Sequence, residues 1–101
     1  MSVLITFKVA GDTAKFIKST QERADEFTEI AANAQANGAI HHRFGVGDGF
    51  VLVVDEWENP AQFEAFFADP KLQEFIASVG GDTSAPPEIS VAEALSTPDQ
   101  F

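Results

Sequence analysis

The sequence predicts an α+β domain, a single antiparallel sheet with its helices gathered on one face. Three observations lead there. A hairpin runs from Ala39 to Trp57 (AIHHRFGV, then GDG, then FVLVVDEW), segments of helical spacing flank it, and alternating stretches open and close the chain. A chain of 101 residues holds one domain and one core, so any deep pocket must be shared with that core.

Val3 to Val9 alternates, with Val3, Ile5, Phe7 and Val9 on one side and Leu4, Thr6 and Lys8 on the other, and reads as the first strand. Gly11-Asp12 ends it. Asp12 caps a short helical turn through Lys18 that buries Phe16 and Ile17, and Ser19 with Glu22 forms a capping box that starts a fresh helix. Ala24, Phe27, Ile30, Ala31 and Ala34 then fall at helical spacing, and the small alanines let this helix lie close to a sheet. Asn37-Gly38 supplies its left-handed stop.

The hairpin holds both histidines, the single tryptophan and the longest apolar run. With Asp48-Gly49 as a two-residue type I′ turn, counting places Gly47 opposite Phe50, Val46 opposite Val51, Phe44 opposite Val53, His42 opposite Asp55 and Ile40 opposite Trp57. One face then carries Ile40, His42, Phe44, Val53, Asp55 and Trp57. The other carries His41, Arg43, Phe50, Leu52, Val54 and Glu56. A three-residue loop would instead shift the register by one and set His41 against Asp55.

After the hairpin, Asn59-Pro60 is a helix cap followed by proline at the first helical position, and Phe63, Phe66 and Phe67 form its stripe. Asp69-Pro70 repeats the device, so the helix is broken or kinked at Pro70, and Leu72, Phe75, Ile76 and Val79 continue it to Gly80-Gly81. These residues are too apolar to swing into water, so the kink reads as a fixed feature. Glu88 to Leu95 alternates as a last strand, and residues 96–101 read as a mobile tail anchored only by Phe101. The order β-α-β-β-α-β, in a domain spanning residues 1–95, is that of the ferredoxin-like arrangement.

Composition excludes several functions. Without cysteine there are no disulfides, thiolate metal sites or cysteine nucleophiles. Sixteen acids against six bases give a net charge of −10, and Lys71 is the only base after Arg43, so nucleic acid and anionic membranes are poor partners. No basic region precedes the first apolar run and no long apolar stretch follows, which makes a cytoplasmic location the default expectation. His41 and His42 point to opposite faces and cannot chelate one metal from a regular strand.

Every residue of Phe50 to Val54 is apolar, so the third strand is greasy on both faces. Helices cover one face only. The economical cover for the other is a second copy of the chain, which predicts a homodimer.

The topology and length, a glycine opening the second strand (Gly38), an acid-x-Trp ending the third (Asp55, Trp57) and a following helix entered through a capped turn together resemble the dimeric α/β-barrel proteins of the antibiotic biosynthesis monooxygenase type. The resemblance implies two sheets packed into a barrel, with a pocket in each subunit between sheet and helices. It also implies cofactor-free oxygenation of a phenolic or enolisable aromatic compound, whose own carbanion or phenolate reduces oxygen. Members often carry a histidine where this chain has Phe66. The haem-degrading branch uses an asparagine on the first strand, where Thr6 or Phe7 stands here, and a histidine on the second helix, where residues 60–79 have none. Of that triad only Trp57 is present.

The catalytic candidates are therefore His42 and Asp55, a base oriented by a carboxylate. Trp57, Phe44, Phe63 and Phe67 are candidates to contact the substrate as aromatic walls, and Arg43 and Thr6 to hydrogen-bond it. The same base would serve an aldol-type cyclisation. The competing reading is a dimeric module that binds a small apolar ligand or a partner without catalysis, in which the histidine and aspartate only stabilise the sheet.

Overall fold

Alternating side chains build the sheet, and the computed structural model, which describes residues 1–101, shows four strands in the order β2-β3-β1-β4 with all neighbours antiparallel. These are β1 (Val3–Ala10), β2 (Ala39–Val46), β3 (Phe50–Trp57) and β4 (Glu88–Glu93). Helices α1 (Thr13–Glu22) and α2 (Ala24–Ala36) connect β1 to β2, and α3 (Pro60–Phe67) and α4 (Pro70–Ser78) connect β3 to β4. The result is the expected ferredoxin-like α+β order, with each helical connection broken in two.

The hairpin has the two-residue register: His42 pairs with Asp55, Phe44 with Val53 and Val46 with Val51, while the Gly47 amide donates to the Phe50 carbonyl at 3.0 Å. Two details differ from expectation. Within the turn only Gly49 has positive φ (79°), so the turn is not type I′, which needs Asp48 there as well. A register shift between Ala39 and His41 sets Ala39, not Ile40, opposite Trp57 and leaves Ile40 exposed.

The first connection also departs from its capping signals. The Asp12 carboxylate accepts from the Lys15 amide at 3.0 Å, as expected of an N-cap, but α1 does not stop at Lys18. Ser19 is buried and its hydroxyl donates back to the Lys15 carbonyl at 2.8 Å, so it continues the helix where a cap was expected, and Ile17 is exposed. The break falls at Arg23. That residue ties the two helical connections together, its Nη1 donating to Ser78 Oγ at 2.8 Å and its guanidinium lying 4.8 Å from the centre of the Phe75 ring. In the second connection Asn59 and Asp69 cap as expected, each followed by proline in the first turn.

The core is Val3, Ile5, Phe7, Val53, Trp57 and Phe63, with a smaller group of Phe16, Val51 and Val79. Only 12 of 101 residues are fully buried. Two features account for so thin a core. On the sheet face away from the helices, Leu4 and Val54 are exposed and Phe50 and Leu52 half-buried, with the Lys8 ammonium 4.5 Å from the centre of the Phe50 ring. On the helix side, Phe27, Ile30, Ala31 and Ala34 of α2 are only half-buried: the helix does not lie close on the sheet, and a hollow stands between them. At the end of the chain β4 stops at Glu93, two residues early, and Phe101 is fully exposed and anchors nothing within the chain.

Candidate active site

The hollow is a cavity of about 720 Å³. Its floor is the helix-side sheet face with Phe7, Val51 and Val53, and its walls and roof are the apolar stripes of the helices. Phe44, at 39% exposure, and the half-open His42 belong to edge strand β2 and place the mouth beside that strand. From Phe44 an aromatic run leads along the roof. Its ring meets Phe16 edge-on at 5.0 Å and Phe27 at 6.0 Å, and Phe27 meets Phe75 edge-on at 5.0 Å. Phe16, Phe27 and Phe75 read as core stripe in the sequence, yet with Phe44 they form the cavity's aromatic lining.

Besides the isolated polar residues Asp12, Thr28 and Gln35, the lining holds one hydrogen-bonded polar constellation. His42 Nδ1 lies 2.6 Å from Asp55 Oδ1, and the Trp57 indole Nε1–H donates to Asp55 Oδ2 at 3.1 Å. Asp55 is buried at 8% exposure, while 39% of the His42 side chain is open. An indole N–H can only donate, so the carboxylate accepts on that side. On the other side it accepts from His42 Nδ1–H, which leaves Nε2 of the neutral imidazole without a proton. A buried carboxylate thus fixes the tautomer and orientation of a solvent-accessible base. The His42 ring also packs edge-on against Phe44, with centroids 4.5 Å apart, which joins the base to the aromatic lining.

The other candidates divide. Phe63 and Phe67 border the cavity and stack on each other at 5.5 Å, Phe63 as a core residue. Trp57 borders it too, but at 1% exposure, packed against Phe63 and Phe66, it has no ring face open to stack on a ligand. Thr6 pairs with Val54 and Ser90 on the opposite sheet face and does not line the cavity. Arg43 borders it as part of β2, but its pairing with Val54 sets its side chain on the far face. His41 likewise pairs with Glu56.

No protein-family model matches the sequence, and no curated protein matches it. The fold is shared with solved structures. SnoaB, a cofactor-independent oxygenase from Streptomyces nogalater, superposes with a TM-score of 0.64 over 98% of each chain at 15% identity. A protein assigned as an antibiotic biosynthesis monooxygenase from Caulobacter crescentus gives 0.63 over 94% of this chain and 91% of that one, at 14% identity. A protein of unknown function from Nitrosomonas europaea gives 0.61 over 99% and 95%, at 16% identity. The resemblance to antibiotic biosynthesis monooxygenase-like proteins therefore holds at the level of the fold.

Proposed function

We infer that this chain forms a homodimer and that its cavity binds a phenolic or enolisable aromatic compound and oxygenates it without a cofactor. The observation that carries the reading is His42, held by Asp55, at the mouth of a mainly aromatic and aliphatic cavity. A cavity of about 720 Å³ lies in the range that encloses a drug-sized molecule. Its apolar walls exclude water from a carbanion or phenolate formed inside it.

In this account His42 Nε2 removes a proton from a phenol or from a methylene between aromatic rings. The resulting anion gives its electrons to O₂, so the substrate is the only reductant. For such a methylene the balance is complete: the carbon becomes a carbonyl, one oxygen atom enters it, and the other leaves in water with the two hydrogens. The fold shared with a cofactor-independent oxygenase supports this chemistry. The homodimer rests on the open sheet face, where Leu4, Phe50, Leu52 and Val54 need cover.

The test is oxygen uptake by the purified protein with an anthrone-like phenol and no added cofactor. Uptake above the uncatalysed rate supports the reading. Saturable binding of the same compound with no uptake favours a ligand-binding module instead.

A further inference from the structure

We propose that Trp57 is a positioning residue that fixes the orientation of the Asp55 side chain and thereby which of its atoms meets His42. The proposal rests on His42 being the base, but its test reads the proton position directly and does not require turnover. The indole Nε1–H reaches Asp55 Oδ2 at 3.1 Å, His42 Nδ1 reaches Oδ1 at 2.6 Å, and Trp57 and Asp55 are both buried. The three groups form one line from core to cavity mouth. Packing against Phe63 and Phe66 holds the indole, so its N–H points in one direction only. A carboxylate bonded at one oxygen could turn or take up water; bonded at both, it presents Oδ1 to His42 and cannot exchange that role. Trp57 is thus less an open aromatic wall than the fixed end of a hydrogen-bond chain.

No other charged side chain competes for His42. The remaining titratable or charged residues bordering the cavity are Asp12, beside the Gly80-Gly81 end, and His41 and Arg43, whose side chains register on the other sheet face. None of the cavity-lining residues of α2, α3 or α4 is charged.

The consequence is unusual for a conservative substitution. In Asp55→Asn the indole N–H can be accepted only by the amide oxygen, which turns the amide NH₂ toward His42 Nδ1. That nitrogen must then accept, the neutral ring carries its proton on Nε2, and the base is blocked at the ring nitrogen not bonded to residue 55. Removing the indole N–H in the double variant Asp55→Asn/Trp57→Phe frees the amide to turn over and restores the Nδ1–H form to part of the population.

The experiment is ¹⁵N NMR of the imidazole nitrogens above the histidine titration range. The expected tautomers of His42 are Nδ1–H in the wild type, Nε2–H in Asp55→Asn, and a mixture in the double variant. If Asp55→Asn keeps the Nδ1–H form, or if it and the double variant give the same tautomer, the proposal is overturned. Should the double variant fail to fold, Trp57→Phe alone reads the same orientation: the His42 Nδ1–H proton resonance should shift and its exchange with water quicken, and an unchanged resonance and exchange rate overturn the proposal. A wild type with the expected tautomers but no oxygen uptake refutes the catalytic reading and leaves the positioning role of Trp57 intact.

Discussion

Val54→Asp puts a carboxylate in the middle of the open sheet face, beside Thr6 on β1 and Arg43 on β2. Val54 is 45% exposed in the single chain. Fully burying a valine contributes about 1.5 kcal/mol, so covering the exposed part contributes about 0.7 kcal/mol per copy. Two-fold symmetry counts it twice, for about 1.4 kcal/mol in the dimer. The introduced charge matters more: desolvating a carboxylate in an apolar interface is only partly offset by Arg43 opposite it on β2, which leaves a cost of about 3 kcal/mol on each side. The combined loss, about 7 kcal/mol, weakens the dimer by about five powers of ten. Sedimentation velocity at micromolar concentration should show a dimer for the wild type and a monomer for the variant, and the wild-type dimer should tighten with added salt because each chain carries a net charge of −10. A monomeric wild type, or a variant that remains dimeric, refutes the reasoning.

Asp12→Ala removes the cap of α1 and should cost about 1 kcal/mol, a fall of about 4–8 °C in Tm measured by calorimetry. Hydrogen bonds from the Ser84 hydroxyl and then its amide hold the Asp82 carboxyl below the usual range, so the stability it lends is complete above that range and is lost as pH falls through the depressed value. In an NMR titration Ser84→Ala should raise the Asp82 midpoint toward its ordinary value. Hydrogen exchange should protect the amides of residues 72–79, since Leu72, Phe75 and Ile76 are half-buried and Arg23 clamps α4 to the α1–α2 junction; rapid exchange there would mark a moving lid.

The parts of the site that follow from counting were legible in the sequence. A two-residue turn at Asp48-Gly49 sets His42 against Asp55, and no tertiary contact is needed to see it. The bulge at Ile40 was not, because no glycine or proline marks it and the strand looks regular up to Ala39. Ser19 and Glu22 have the spacing of a capping box, but a serine hydroxyl can equally bond back into its own helix, and only the burial of Ser19 decides between the two. The side of Thr6 was legible too, since it alternates with Ile5 and Phe7, the residues that face the helices. The cavity was the least legible feature. Periodicity identifies the apolar face of α2 but not its distance from the sheet, so nothing in the sequence shows that Phe16, Phe27 and Phe75, packed on one another, also line a hollow between helix and sheet.

The reading of His42 as the working base is tested most directly by kcat/KM for oxygen uptake with an anthrone-like phenol, compared among the wild type, His42→Ala and His41→Ala, each first shown to be a folded dimer. Loss of a general base predicts a fall of at least about 100-fold in His42→Ala. His41→Ala, altered on the far side of the same strand, should stay close to the wild type. Retention of activity in a folded His42→Ala dimer, or an equal loss in both variants, would contradict the account.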